Sequence, residues 1–238
     1  MAVLLVVVAC GGSDQGVTTA SPATSTTTSA TALPAGPTEM PIAGLFKLKT
    51  ETYSTSEFWT PLTVTPATDG WWSRGVSELW LYLEYHEEGE SVYDLDVAVL
   101  AHDPTSRPMA LALSILGEDQ VVTLSAPADT TVDGHPAVVF DAFQPELAEP
   151  FAACPGPAVQ GNSRFPDNLS GTVVLTAPDP AGRAWNFGIR TCRTARIWVI
   201  DVDGSTITII ASTTDAAIFD ELMPIAEELI AGILFSRL

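Results

Sequence analysis

Positive charge is what this 238-residue chain has least of: ten Lys and Arg face 29 Asp and Glu, for a formal net charge of −19. A nucleic-acid binder needs a cationic footprint, so that class is excluded. Charged residues of both signs make up only 16% of the chain, against 46% hydrophobic, and the six Trp are too many for a wholly disordered or fibrous protein. Cysteine and histidine number three each, with no CxxC spacing. The nucleophile elbow GxSxG, the zinc motif HExxH, the P-loop and the dinucleotide fingerprint GxGxxG are all missing. No catalytic residue, cofactor or metal is therefore expected, and the expectation is a non-enzyme. The length suits a signal-and-tether region followed by one compact domain.

The N-terminus supplies the signal. Met1 to Ala9 is an unbroken apolar run of nine residues, far short of the roughly 20 that a spanning helix needs but the length of a signal-peptide core. It ends in Val7-Val8-Ala9-Cys10. That tetrapeptide resembles a bacterial lipobox, in which the cysteine is acylated and becomes the first residue of the mature chain. The resemblance makes residues 1–9 a lipoprotein signal peptide and Cys10 the lipidated residue. One feature departs from the pattern: no Lys or Arg precedes the apolar run, and a start codon a few residues upstream would supply them.

Residues 10–41 then read as a tether. Ser, Thr, Ala and Pro dominate without apolar periodicity, so nothing there offsets the entropy of ordering the chain. About 30 flexible residues span on the order of 30 Å. The expected location is extracytoplasmic, on the outer face of the cell membrane. In that oxidising compartment the two remaining cysteines, Cys154 and Cys192, would most simply pair as a disulfide; two buried thiols are the alternative.

The compact domain is expected over 42–238. Strand signals run through Ala43–Tyr53, Phe58–Val64, Leu79–Tyr85 (apolar on both faces), Tyr93–Ala101, Val121–Val132, His135–Phe143, Gly171–Thr176, Trp185–Cys192, Ala195–Val202 and Thr206–Ser212. Asp133-Gly134 and Asp203-Gly204 are hairpin turns. Ile197 and Val199, with Ile207 and Ile209, would mark one buried face. A short helix is expected over 104–116, where Met109, Leu111, Leu113 and Ile115 also alternate as a strand would, and a loop over 144–168. The chain should close on an amphipathic helix from an Asp215 cap through Ile218, Leu222, Ile225, Leu229, Ile230 and Ile233, kinked or split at Pro224. Its polar face is acidic, which suits a cover on the sheet rather than a membrane segment. The fold class is α+β: an antiparallel β-sheet with the C-terminal helix and one shorter helix packed on it.

Three motifs carry a further resemblance: Gly70-Trp71-Trp72, the hairpin Val132-Asp133-Gly134-His135-Pro136-Ala137, and the hairpin Trp198–Gly204 ahead of a terminal helix. They resemble actinobacterial secreted lipoproteins with a PsbP-like domain of the LpqN type, over about 42–236. The resemblance implies an α+β domain at the cell envelope, with some relatives contacting envelope glycolipids, and no catalytic signature to transfer.

Ligand candidates follow from residue type. Trp59, Trp71, Trp72 and Trp80 crowd one stretch, and adjacent Trp71 and Trp72 in a strand point to opposite faces. One of that pair would face a glycan or acyl ligand, although core filling is the ordinary role. Five of the ten cations fall between Arg164 and Arg196; if Arg190 and Arg193 face the same side they form a small anion-binding patch, with charge balancing as the ordinary alternative. His86, His102 and His135 are expected in surface loops. Glu84, Glu87, Glu88, Glu90, Asp94 and Asp96 form an acidic cluster without calcium-loop spacing. The sum is a membrane-anchored binding module for an envelope lipid, glycan or protein. The alternatives are an interaction lipoprotein without a small ligand and, behind it, an extracytoplasmic hydrolase.

Overall fold

The computed structural model describes residues 36–87, 94–102, 123–143, 172–178, 184–189, 193–213 and 216–236. Cys10, Cys154, Cys192, Arg190, Asp215, Glu88, Glu90, the expected helix over 104–116 and the loop over 144–168 lie outside the described residues. The compact unit spans Gly36–Leu238, so it takes in residues ahead of Ile42, including the buried Met40.

The N-terminal strands are β1 (Thr38–Glu39), β2 (Ala43–Lys47), β3 (Tyr53–Thr55), β4 (Leu62–Val64), β5 (Trp71–Val76), β6 (Trp80–Tyr85) and β7 (Leu95–Ala101). They are followed by β8 (Thr123–Leu124), β9 (Ala128–Val132), β10 (His135–Phe143), β11 (Thr172–Pro178), β12 (Ala184–Ile189), β13 (Thr194–Val202) and β14 (Ser205–Thr213). Helix α1 (Phe219–Ala231) and β15 (Ile233–Phe235) close the described chain.

Nine strands form one antiparallel sheet in the order β2-β5-β6-β7-β14-β13-β10, with β8 and β9 sharing the outer edge of β10. Both Asp-Gly turns are built as their sequence demands. Asp133 and Gly134 have φ of 50° and 76°, and Asp203 and Gly204 have 51° and 89°, the paired positive values of a two-residue hairpin loop. Those turns fix the register, placing Val132 opposite His135 and Val202 opposite Ser205. The smaller sheet runs β1-β3-β4-β15, and β11 pairs with β12.

Register corrects one expectation. Ile197 faces Ile210 and Val199 faces Thr208, whereas Ile207 and Ile209 face Ile200 and Trp198. The two isoleucine–valine sets therefore lie on opposite faces, and both faces are buried. The alternating residues between them are themselves apolar or small, which is how strands covered on both sides read.

Helix α1 covers the first face, across β7, β14 and β13. Phe219, Leu222, Met223, Ala226, Leu229 and Ile230 pack there with Val97, Val99, Trp198, Ile200, Ile207 and Ile209. Each fully buried large side chain contributes about 1.5–3 kcal/mol. That face also explains why the helix is not split: α1 runs unbroken through Pro224, because one lost backbone bond is offset by packing on both sides of it. A single 3-10 turn, Ala216–Ile218, leads in. Arg196 of β13 ties helix to sheet. Its guanidinium donates to both oxygens of Asp141 (2.6 and 2.9 Å) and to Glu227 of α1 (2.5 Å), and those carboxylates hold its proton more firmly than usual.

The helix stops earlier than the periodicity predicts. Ile233 belongs to β15, which pairs with β4. Gly232 makes the change: its carbonyl accepts from the Thr65 backbone N–H at 2.9 Å, and a β-carbon there would collide with the Thr65 carbonyl oxygen. A glycine directly after the last helical residue is a stop signal that the apolar spacing obscures.

Candidate functional site: the second face of the sheet

The face turned away from α1 carries its own cluster: Trp80, Tyr82, Ala98, Leu100, Val138, Phe140, Ala142, Ala195, Ile197, Val199 and Ile210. Among the described residues this cluster is made of the sheet and its turns alone. Register sorts the face into rows across the strands. One row runs Trp80, Leu100, Thr208, Val199, Val138. The next runs Tyr82, Ala98, Ile210, Ile197, Phe140. A third runs Lys47, Trp72, Glu84, Asp96, Ser212, Ala195, Ala142. Two rows are thus almost wholly apolar, and the third is charged.

The charged row is a network. Glu84 and Asp96 are directly paired on β6 and β7, with only 2% and 6% of their surface exposed. Two carboxylates so placed repel, and each is countered. Arg74, freed by the bulge in β5, donates to Glu84 at 2.8 Å. His86 stands 3.4 Å from the same Glu84 oxygen. Arg193 donates to Asp96 at 2.8 Å and Ser212 donates to its other oxygen at 2.5 Å. Trp72 borders the network, with the His86 ring edge-on at 5.9 Å and the Lys47 ammonium 5.8 Å from its centroid.

Of the candidates named from sequence, the structure places Trp72 on this row and Arg193 against it, and sends Trp71 elsewhere. Trp71 is 1% exposed and packs on Tyr85 at 5.4 Å in the helix-side core, while Trp72 is half-buried. Trp80 is also core, and Trp59 is exposed. Arg193 is 2% exposed and engaged with Asp96. It lies on the opposite face of β13 from Arg196, so these two arginines share no patch. Asp201 and Asp203 serve a turn, with Asp201 accepting from the Gly204 N–H at 2.8 Å.

The histidines depart from expectation. His102 and His135 are buried rather than in surface loops. His135 follows the hairpin turn but meets Phe235 edge-on at 6.0 Å, because Asp133 in the same turn accepts the Phe235 N–H at 2.8 Å and draws β15 onto it. His102 sits just beyond β7, on the second face, with its N–H bonded to the Thr206 carbonyl. Burial lowers its pKa to about 4, so it is neutral at physiological pH. Ser212, Glu84 and Asp96 were not legible as one site: Arg193 and Asp96 are 97 positions apart, and only the turn-set register joins them.

The network balances donors with acceptors. Ser212 donates its hydroxyl to Asp96, and His86 stands against Glu84. Among the described residues, no group of three or more His, Cys, Asp or Glu is arranged to hold a metal, and no helix is long and apolar enough to cross a membrane.

Neither a family model nor a curated protein sequence matches the chain. Among solved structures it is similar to the crystal structure of LpqN, involved in cell envelope biogenesis of Mycobacterium tuberculosis. The identity is 11% over 82% of this chain and 91% of that one, with a TM-score of 0.40, a superposition too loose to carry function from one chain to the other.

Proposed function

We propose that this is a lipoprotein anchored through Cys10 to the outer face of the bacterial cell membrane, whose domain binds an amphiphile without catalysis. The lipobox-like Val7-Val8-Ala9-Cys10 and the Ser/Thr/Pro tether support the anchoring. A domain that is acidic overall is repelled by anionic lipid within roughly 10 Å at moderate salt, so attachment falls to the acyl chains rather than the domain surface.

The observation that carries the binding reading is the order of rows on the second face. A charged row with both donors and acceptors, bordered by a half-buried tryptophan, adjoins two apolar rows. That order matches a polar head joined to an apolar tail. Trp72 suits stacking against a sugar ring, and the Tyr82 and Trp80 rows, buried in this structure, take acyl contact in an opened form of the face.

Native mass spectrometry of the full chain, purified gently from an actinobacterial host, tests the reading. A discrete added mass that leaves on unfolding is expected. A clean protein mass accompanied by a stoichiometric protein partner would favour an interaction lipoprotein without small ligand.

A further inference from the structure

Four large hydrophobic side chains stay exposed among the described residues, and three of them gather at one edge of the large sheet. Leu45 (54% exposed) lies on β2, the outermost strand, Ile42 (48%) directly precedes it, and Trp59 (41%) lies in the loop ahead of β4. Two backbone bonds bring loop and edge together. The Val76 N–H donates to the Ile42 carbonyl at 3.1 Å, and the Trp59 N–H donates to the Glu78 carbonyl at 2.8 Å. Val76 and Glu78 are two residues apart, roughly 7 Å along an extended chain. Lys47 ends the same strand and Lys49 follows it; they are the only lysines in the chain, and both are exposed. Among the described residues neither lysine has a carboxylate partner, although acids outnumber cations 29 to 10, whereas Arg74, Arg193 and Arg196 are each ion-paired.

We infer that this edge, Ile42, Leu45 and Trp59 with Lys47 and Lys49, is the surface that the domain lays against an anionic bilayer. The inference rests on the proposed Cys10 anchor, which attaches the chain, and adds the direction in which the attached domain faces. Residue type is the first support: tryptophan settles at the boundary of lipid and water, aliphatic side chains enter it, and lysine reaches back to the headgroups. Placement is the second. The compact unit begins at Gly36, six residues ahead of Ile42, so the edge lies within about 20 Å of the residue that receives the tether. A patch this small would not hold a free protein on a membrane, but a tether keeps it at high local concentration.

The form of the strand argues against a protein occupant. Lysine on an edge strand guards against pairing with another chain, whereas exposed isoleucine and leucine ask for cover. Gly44 has a φ of 100°, and the β2–β5 register shifts between Ala43 and Phe46. That distortion makes β2 a poor template for a further strand and leaves its apolar side chains open to lipid. Glu51 and Glu57 stand two residues from Lys49 and Trp59 in the chain, so apolar insertion supplies the contact and the unpaired lysines select the lipid. The remainder of the acidic domain is repelled by the same surface, which makes the orientation selective.

The test uses the full chain, purified with its acyl chains from an actinobacterial host and reconstituted into vesicles of phosphatidylcholine and phosphatidylglycerol. Bromine on the lipid chains quenches tryptophan emission at contact, and intact mass establishes the acylation first. Trp59 is one of six tryptophans, so the quenching that disappears in Trp59→Phe reads its position. Trp59→Phe should lose most of the quenching seen in the parent, and Ile42→Ser with Leu45→Ser should lose it while keeping Trp59. Lys47→Gln with Lys49→Gln should lower the ratio of docked to free domain about five-fold per lysine on these vesicles, and change nothing on phosphatidylcholine alone. Equal quenching in the parent and Trp59→Phe, with the chain acylated, overturns the edge and leaves the anchor standing. Trp59 quenching that ignores both lysines overturns the anionic assignment. A dimer in native mass spectrometry that Leu45→Ser abolishes gives the edge to a second copy and overturns the inference. A chain that carries no acyl mass takes the anchor and the edge down together.

Discussion

Glu84 and Asp96 stand opposite each other on β6 and β7, two carboxylates buried side by side in the middle of a sheet. Nothing in the strand pairing favours that arrangement. It persists because Arg74 and His86 approach one carboxylate while Arg193 and Ser212 approach the other. The row is a set of mutually dependent charges, and removing any one exposes the rest.

Arg193 is the most consequential of these. Arg193→Ala leaves Asp96 buried without its cation and should cost about 3–5 kcal/mol, the usual penalty for breaking a buried pair. The double variant Arg193→Met with Asp96→Leu should cost much less than the sum of its singles, because it removes both charges together. Urea unfolding of the four proteins in the cycle measures the coupling; additive costs would mean that the two side chains act independently.

His102 makes stability depend on pH over a defined window. Its folded value of about 4 lies below the ordinary 6.5, so between those values the unfolded chain binds the extra proton. Stability from this residue is complete above about pH 6.5, falls as pH drops towards 4, and changes no further below that. Thermal melts across this range should show a shallower acid limb in His102→Phe than in the parent. NMR should find the His102 imidazole neutral until about pH 4; titration near 6.5 would contradict its burial.

Gly232 is a packing requirement rather than a conformational one, since its φ of −88° suits any residue. Gly232→Ala places a methyl against the Thr65 carbonyl oxygen and should destabilise by about 1–3 kcal/mol, the range for overpacking. Loss of the β4–β15 pairing should accompany it, seen as faster amide exchange at Phe235.

Much of this fold is legible in the sequence. Asp133-Gly134 and Asp203-Gly204 announce their hairpins, and a two-residue loop after Val202 already implies Ile197 opposite Ile210. The opposite orientations of Trp71 and Trp72 follow from strand geometry. What escapes is what depends on partners distant in the chain. Ile233 continues a helical spacing, yet the Thr65 backbone against Gly232 makes it a strand residue. His135 looks like a loop residue until Asp133 brings Phe235 over it. Of the charged row, Glu84 and Asp96 read as members of an acidic loop cluster, because the arginine that matches Asp96 arrives from another hairpin.

The lipid anchor has a direct test. Cys10→Ser should move the protein from the membrane fraction to the culture medium, because two or more acyl chains hold stably where one polypeptide surface of this charge does not. A variant that stays wholly with the membrane would assign attachment elsewhere.

The central claim is that an amphiphile lies on the second face of the sheet. Isoleucine-methyl NMR of the full chain, titrated with 1-oleoylglycerol, tests it most directly, because neighbouring residues of the same strands point to opposite faces. Ile197 and Ile210 should shift and show contacts to the acyl chain, while Ile207 and Ile209, packed under α1, stay in place. Shifts confined to Ile207 and Ile209, or no shift in any of the four, would contradict it.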